Sequence, residues 1–242
     1  MKTYRDIFYA KYQSHFKQRS LAGTDYTFTD QKLIPLIKDW VHDADRARPC
    51  LDLGCGDGSL LHAFQSLGFK HLFGVDVSTE QVALAQQVTP EVVAGDLFAY
   101  LGGFEDGYFE VITLFDVIEH LTKEEIVTCV TLIHQKLTPR GLWICHLPNG
   151  DSPFVGSIQF GDFTHETMLN PLSAKNLCAI FGFDDFAAAE HLGSSAGLKG
   201  FVRTLAWQVI RLLPLAWNAV ETGRTGVGIL TRNFAFKARK AR

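Results

Sequence analysis

The sequence predicts an α/β fold in which a parallel β-sheet carries helices on its faces. From about residue 49, short apolar runs alternate with stretches of helical periodicity, which is the pattern of successive β-α-β units. The run Tyr108–Phe115 is almost entirely apolar, as expected of a central strand covered on both sides. Apolar residues make up 47% of the chain and charged residues 20%, which is typical of a globular domain rather than of a disordered one.

The first three predicted strands are short apolar runs over Cys50–Leu53, His71–Val77 and Glu91–Ala94. The two segments between them, Ser59–Leu67 and Thr79–Val88, carry apolar residues at helical spacing. Gly68 and Pro90 follow these segments, and both residue types end helices. The order is therefore strand, helix, strand, helix, strand.

Caps and turns predict the elements that follow the central strand. Thr122 and Glu125 form a capping-box pattern that begins a helix running to about Leu137, and the Pro139–Gly141 turn comes next. Ser173 is the predicted N-cap of a helix that ends near Gly182. The later strands are predicted over Leu142–Leu147, Phe183–Ala189 and Gly226–Lys237, with a helical stretch over Gly200–Val220 before the last of them.

The chain divides into an N-terminal helical cap and an α/β domain. Residues 1–45 form the predicted cap, in which Tyr4, Phe8, Tyr12 and Phe16 recur at i, i+4 spacing. This aromatic stripe either packs the cap onto the domain or serves as a lid over a ligand. Residues 46–242 form the α/β domain, which has a helical insertion at about residues 195–222.

Composition narrows the class of protein. The formal net charge of −3 argues against a nucleic-acid partner. The five cysteines are odd in number and include no CxxC pair, so we expect free thiols in a reducing compartment and no metal site. The N-terminus lacks the apolar core of a signal peptide, and no run of about 18 apolar residues occurs. These features predict a cytoplasmic protein.

A glycine-rich turn follows the first predicted strand, with glycines at positions 54, 56 and 58. Glycines let the backbone turn sharply and approach a ligand without interfering Cβ atoms. The dinucleotide pattern GxGxxG requires glycine at position 59, where this chain has serine. Asp52 precedes the turn, and its charge would repel a pyrophosphate but attract an ammonium or a sulfonium. The turn therefore favours a cationic, phosphate-free nucleoside.

Two more carboxylates follow the next two strands. Asp76 lies twenty residues beyond Gly56, a spacing at which an acid can accept hydrogen bonds from both ribose hydroxyls. Asp96 follows the third strand, where it could accept the exocyclic amine of adenine. Either acid could instead be a helix cap or a turn residue. Ligands of open α/β sheets bind at the carboxyl ends of the strands, so we expect the acids to share one site.

The series LDLGCGDGSLL, GVDVS, AGDL and FEVITLFDVIEHL resembles class I S-adenosylmethionine-dependent methyltransferases over about residues 48–148. The resemblance implies a Rossmann-like sheet of seven strands whose last strand is antiparallel. It implies S-adenosyl-L-methionine as the cofactor, S-adenosyl-L-homocysteine as the product, and a structural rather than a catalytic His120. The cofactor-binding residues that it implies are Asp52, Gly54, Cys55, Gly56, Asp76, Val77, Asp96, Leu97, Phe115 and Asp116.

The acceptor is predicted from the polar loop that follows the fifth strand. His165 is the candidate general base in this loop, and it could instead only shape the loop. Asp162 and Glu166 could orient its ring. The pattern PNG…FGDFTHE resembles methyltransferases of bacterial polysaccharide and glycan biosynthesis clusters, which implies a small-molecule or glycan-type acceptor with a sugar hydroxyl.

Two alternative functions remain open from the sequence. The DVIEH stretch is shared with the methylase of quinone biosynthesis, so a quinone- or phenol-type O-methyltransferase is the nearest enzymatic rival. A protein that binds the cofactor without turnover is the second.

The apolar segment Phe201–Val220 packs on the domain or on a second subunit, covers the acceptor, or lies on the inner face of the membrane. The sequence does not determine the oligomeric state.

Overall fold

A computed structural model of the protein describes residues 4–9, 26, 33–192, 197–226 and 228–242. The strands are β1 Pro49–Leu53, β2 His71–Asp76, β3 Val92–Ala94, β4 Phe109–Phe115, β5 Leu137–Pro148, β6 Phe183–Glu190 and β7 Asn233–Lys240. The helices are α1 Tyr4–Tyr9, α2 Ser59–Ser66, α3 Thr79–Ala85, α4 Leu97–Gly102, α5 Lys123–Lys136, α6 Val155–Gln159, α7 Pro171–Ile180, α8 Gly197–Ile210 and α9 Leu212–Thr222. Residues 33–37 are also helical.

The seven strands form a single sheet in the order β3-β2-β1-β4-β5-β7-β6. Strands β1 to β5 pair in parallel, and β7 lies antiparallel between β5 and β6. The predicted fold class, a Rossmann-like and mostly parallel sheet whose last strand is antiparallel, is confirmed. Strands β2 and β3 follow β1 on one side of the sheet, whereas β4 and the later strands lie on its other side. In folds of this kind the ligand-binding crevice lies at the carboxyl ends of the two strands where the order changes, here β1 and β4.

Two apolar layers hold the sheet between its helices. One layer includes Trp143, Phe109 and Phe234 and packs under α5 and α7. The other includes Phe64 of α2 and Ile37, so the described helical residues 33–37 belong to the core. All five cysteines are buried and none forms a disulfide.

Local sequence signals place some elements well and others poorly. The predicted capping box of α5 is present, since Glu125 N donates to Thr122 Oγ1 and Thr122 N donates to the Glu125 carboxylate. The predicted N-cap Ser173 is wrong, because Asn170 caps α7 and Ser173 is the third residue of that helix. Pro171 occupies the first helical position, where its missing N–H costs nothing, so the helix begins earlier than predicted.

The fifth and last strands also differ from the prediction. The predicted turn Pro139–Gly141 is a local irregularity inside the longer strand β5, where Arg140 has φ +68°. The predicted strand Gly226–Lys237 is wrong at both ends, since β7 begins at Asn233 and runs to Lys240. Gly226 and Gly228 both have φ +77°, a left-handed conformation that does not continue a strand.

Helices α8 and α9 occupy residues 197–222 between β6 and β7. Their inward side is fixed by Glu190 at the end of β6, which accepts hydrogen bonds from Trp207 Nε1 at 3.1 Å and from Arg211 at 3.0 Å. Trp207 therefore lies on the same face as Arg211. No described helix is both long enough and apolar enough to cross a membrane.

Helix α1, which belongs to the predicted N-terminal cap, contacts α5 and the loop after α6. Arg5 makes a bidentate salt bridge with Glu125 of α5, with N–O distances of 2.7 and 2.9 Å. The Phe8 ring stacks on Phe163 with centroids 5.4 Å apart, and the Tyr4 hydroxyl bonds to Glu166. The first helix therefore packs against the loop that contains His165. Most of the predicted cap, including Tyr12 and Phe16, lies outside the described residues.

Candidate active site

The glycine turn joins β1 to α2 in left-handed conformations that favour glycine. Gly54, Gly56 and Gly58 have φ values of +74°, +53° and +81°. Gly54 N and Cys55 N both donate to the Val75 carbonyl, which ties the turn to β2. A Cβ at Gly58 would lie 2.8 Å from the Ala85 backbone, so glycine also permits the close approach of α3. The sequence and the packing therefore fix this turn at the carboxyl edge of the sheet.

The Asp76 carboxylate connects the end of β2 to the glycine turn. Its Oδ2 accepts from Gly56 N at 2.9 Å, and its Oδ1 accepts from Ser78 N at 2.8 Å. Ser78 in turn caps α3 through its hydroxyl. These hydrogen bonds hold the Asp76 side chain next to the glycine turn, where it is only partly buried.

Asp52 lies deeper than the other two acids. Its side chain is buried within β1 and accepts a hydrogen bond from Thr113 Oγ1 of β4 at 2.6 Å. Burial raises the pKa of the Asp52 carboxyl to about 7, the Thr113 bond opposes this rise, and the charge of Asp76 adds to it. A cation that approached the turn would favour the ionised form.

The third acid lies at the rim of the sheet. Asp96 is exposed, and its Oδ1 accepts from Ala99 N at 2.9 Å as the N-cap of α4. This cap interaction is the alternative that the sequence left open, and it leaves the second carboxylate oxygen at the surface. Val77 is 56% exposed directly after β2. Leu97 is partly buried beside Asp96.

A hydrogen-bonded line of polar side chains crosses the carboxyl edge from β4 to β6. Asp116 follows β4 with φ +53° and lies 2.8 Å from His146 Nδ1. His146 Nε2 lies 2.7 Å from His191 Nδ1, and Phe115 stacks on the His146 ring. The sequence analysis named Phe115 and Asp116 as candidates but did not name His146 or His191. A histidine within the otherwise apolar run Leu142–Pro148 of β5 was the available signal.

His165 lies where the loop after α6 meets the 3₁₀ turn Ile118–His120. Main-chain hydrogen bonds join the two segments, since Glu166 N and Thr167 N both donate to the Glu119 carbonyl. The His165 and His120 rings meet edge to face with centroids 4.9 Å apart. The structure thus brings His165 next to the segment that follows Asp116.

Burial shifts the pKa values of two side chains in this turn. It raises the pKa of the Glu119 carboxyl well above its usual value, and the nearby Asp116 charge raises it further. It lowers the pKa of His120, and the His165 charge adds to that effect. Both residues therefore favour their neutral forms in the protein alone.

Residues 51–145, from β1 through most of β5, match the family model described as a methyltransferase domain. The protein is an S-adenosylmethionine-dependent methyltransferase. No curated protein matches the chain.

Solved structures share the fold of this methyltransferase. A SAM-dependent methyltransferase from Archaeoglobus fulgidus is 19% identical with a TM-score of 0.64, and the match covers 90% of this chain and 100% of that one. Phosphoethanolamine N-methyltransferase 2 from Haemonchus contortus, in complex with S-adenosyl-L-methionine, is 17% identical with a TM-score of 0.62. That match covers 97% of this chain and 60% of that one. At these identities the likeness shows the fold alone.

The glycine turn of the methyltransferase fits its cofactor. A Cβ at Gly56 would meet only Gln81 Oε1, at 3.9 Å, so the turn leaves room for a ligand beside its backbone. Gln81 is 3% exposed, and its Oε1 lacks a hydrogen-bond partner within the described residues. An oxygen of this kind can accept a donor from the cofactor. When bound, the cofactor supplies the electrophilic methyl group, and the protein aligns it with the acceptor.

We expect the substitution Asp76→Ala to raise the dissociation constant for S-adenosylmethionine by about 10- to 100-fold. The variant loses the hydrogen bonds that the Asp76 carboxylate is expected to accept from the cofactor, and hydrogen bonds to charged groups contribute roughly 1.5–3 kcal/mol. Calorimetric titration measures the change. The matched control is Asp106→Ala, since Asp106 is an exposed carboxylate at the opposite edge of the sheet, bonded to Lys136. An unchanged dissociation constant in Asp76→Ala would remove this residue from the cofactor site.

Cofactor affinity should depend on pH through Asp52. The Asp52 carboxyl has a pKa of about 7 in the protein alone. If a bound cation ionises it, binding below pH 7 releases a proton, so the dissociation constant rises by up to about tenfold for each pH unit below 7 and levels off above it. Asp52→Asn should abolish this dependence. Titrations between about pH 5.5 and 7.5 test it, and a pH-independent wild-type constant would contradict the assignment.

Proposed function

We propose that the protein transfers the methyl group to a hydroxyl of a small-molecule or glycan-type acceptor by in-line displacement. We assign the cofactor to the cleft formed by Asp52, Gly54, Cys55 and Gly56, by Asp76 and Val77, by Asp96 and Leu97, and by Phe115 and Asp116. In-line transfer then requires the acceptor oxygen to approach from the side of Asp116 and the loop after β5.

The observation that carries this proposal is the arrangement of His165. Its Nδ1 lies 3.1 Å from the Ile158 carbonyl. A carbonyl oxygen only accepts, so Nδ1 carries a hydrogen, and in the neutral ring the lone pair is then on Nε2. A hydroxyl is a weak nucleophile unless its proton is removed, whereas an amine has a lone pair of its own. An imidazole on the acceptor side whose Nε2 can accept a proton favours a hydroxyl substrate, and we assign His165 to promoting loss of the hydroxyl proton.

The test is an acceptor panel with radiolabelled S-adenosylmethionine. Sugars and glycan fragments with free hydroxyls should be methylated, and the product should carry a base-stable methyl ether. Phenols and dihydroxyquinone precursors form the second arm, which represents a quinone-type enzyme. Ethanolamine phosphates form the third, because the Haemonchus contortus protein is named for that amine. Exclusive transfer to an amine would overturn the proposal of a hydroxyl acceptor. Cofactor consumption with any acceptor would exclude the alternative that the protein binds the cofactor without turnover.

We also propose that α8 and α9 lie against an anionic membrane surface, which would suit a lipid-linked acceptor. Their outer face carries exposed large apolar side chains at helical spacing, namely Leu198, Phe201, Val202, Leu205, Val209, Leu213, Trp217 and Val220. Exposed Lys199, Arg203 and Arg224 accompany a single acid, Glu221, in residues 197–226. An apolar face with an excess of basic residues is the pattern of helices that lie in the interface of an anionic bilayer.

Vesicle sedimentation tests this second proposal. The protein should bind vesicles that contain phosphatidylserine more strongly than vesicles of phosphatidylcholine alone. Trp217→Glu should lower binding at least about tenfold, since it places a charge in the apolar face. Ile180→Glu is the matched control, because Ile180 is 77% exposed on α7, outside these helices. Equal binding of wild type and Trp217→Glu would refute membrane contact through α9.

A further inference from the structure

A cluster of three potential metal ligands lies beside the candidate active site. Glu119, His120 and His165 each offer one ligand atom, and these three atoms lie within 4.8 Å of one another. Glu119 is 3% exposed, and its Oε2 has no hydrogen-bond partner in the described part of the chain. A buried carboxylate oxygen without a partner needs an explanation, and a cation bound between it and two imidazoles provides one.

The second nitrogen of each ring is held by the protein. His165 Nδ1 lies 3.1 Å from the Ile158 carbonyl, and His120 Nδ1 lies 3.2 Å from the Thr164 carbonyl. Both Nδ1 atoms therefore carry hydrogen, which leaves the lone pair of each neutral ring on Nε2. Metal-binding histidines are oriented in this way, with the non-ligating N–H donated to a carbonyl or a carboxylate.

The backbone also fixes the distance between the two segments that supply the ligands. Glu166 N and Thr167 N donate to the Glu119 carbonyl at 2.8 and 3.0 Å, and Thr167 Oγ1 donates to the Leu121 carbonyl at 2.7 Å. The three side chains consequently stay together without rearrangement of the fold. Glu119 follows Asp116 by three residues, so the cluster lies at the acceptor side of the sheet edge.

We propose that Glu119, His120 and His165 bind a divalent transition-metal ion of the Zn²⁺, Co²⁺ or Mn²⁺ type. Two imidazoles and one carboxylate suit such ions better than Mg²⁺ or Ca²⁺, which prefer oxygen ligands. Three protein ligands leave coordination positions open for an acceptor oxygen. The expectation of a chain without a metal site, which came from its cysteine pattern, is revised by this proposal.

The proposed ion specifies how His165 acts on the acceptor, and this step rests on the proposed function. A hydroxyl bound to the ion has a lowered pKa and loses its proton to solvent water. Its oxygen then forms a bond to the methyl carbon while the carbon–sulfur bond breaks and the electron pair stays on sulfur. His165 contributes as a ligand of the ion, and the products are the methyl ether and S-adenosylhomocysteine.

Titration of the chelator-treated, untagged protein with Co²⁺ tests the site without any acceptor. One Co²⁺ per chain should bind, with visible d–d absorption bands. Glu119→Gln, which preserves the shape of the side chain, and His165→Ala should each weaken binding at least about tenfold. His71→Ala is the matched control, because His71 is exposed at the start of β2. Binding of S-adenosylmethionine by each variant verifies that it is folded.

The outcomes separate the metal proposal from the proposed function. Absence of Co²⁺ binding, or binding that Glu119→Gln leaves unchanged, would overturn the metal site without touching the choice of a hydroxyl acceptor. Turnover that falls after chelation and returns with Zn²⁺, Co²⁺ or Mn²⁺ would support the role of the ion. Turnover that chelation leaves unchanged in a protein that binds Co²⁺ would overturn that role. Methylation of amines alone would instead overturn the proposed function.

Discussion

Replacing His165 by alanine is expected to lower kcat about 100-fold and to leave the dissociation constant for S-adenosylmethionine unchanged. Groups that promote proton loss from a nucleophile contribute roughly 10²- to 10⁴-fold to rate, and we expect the lower end because cofactor alignment is retained. His165 belongs to the loop after β5, whereas the cofactor is assigned to the glycine turn and the ends of β2 to β4. The effect should therefore appear in turnover and not in cofactor binding.

Initial-rate kinetics with the best acceptor of the panel, combined with calorimetry, checks this separation. His71→Ala should behave as wild type in both measurements, since His71 is exposed at the start of β2. Full activity of His165→Ala would show that the loop histidine only shapes its segment through the bond to the Ile158 carbonyl. A parallel loss of cofactor affinity would show that the variant disturbs the fold.

Gly58→Ala is expected to lower the free energy of unfolding by about 2–5 kcal/mol. The alanine would have to adopt φ +81°, a left-handed conformation that costs a residue with a Cβ about 1–2 kcal/mol. Its Cβ would also lie 2.8 Å from Ala85 Cα, and overpacking against a backbone that cannot retreat typically costs a further ~1–3 kcal/mol. Chemical denaturation, with and without S-adenosylhomocysteine, measures the change.

Gly102→Ala is the matched control for this substitution. Gly102 is the last residue of α4, its φ is not positive, and a Cβ there would have no atom within 4 Å. Alanine should leave stability unchanged or raise it by up to about 1 kcal/mol, because it favours the helix. Equal stabilities of Gly58→Ala and Gly102→Ala would contradict the packing described for α2 and α3.

The central sheet could be predicted because its signals are local. An apolar run followed by glycines predicts β1, and the two residues of one capping box predict the start of α5. Helix α4 was missed because it has only six residues and ends in glycine, so that the possible cap Asp96 is not followed by a run long enough to predict a helix. The start of β7 was misplaced because apolar content extends into loop residues whose glycines adopt left-handed conformations.

The site was predictable only where its residues follow the strands in a recurrent pattern. The positions of Asp52, Asp76 and Asp96 follow from the strand ends. The hydrogen bond from Thr113 to Asp52 does not, because the two residues are 61 positions apart in the chain and meet only where β1 pairs with β4. The Asp116–His146–His191 line joins residues 30 and 45 positions apart, and only the pairing of β4, β5, β7 and β6 brings them together. The same holds for Glu119, His120 and His165, which meet through main-chain bonds between a turn and a loop.

Calorimetric titration with S-adenosylhomocysteine tests the central assignment most directly, namely that acids at the carboxyl edge of the sheet bind the adenosyl cofactor. The account predicts that one molecule binds per chain, that the melting temperature rises, and that Asp76→Ala weakens both effects while Asp106→Ala does not. Absence of heat and of a melting shift in the wild-type protein would contradict the account.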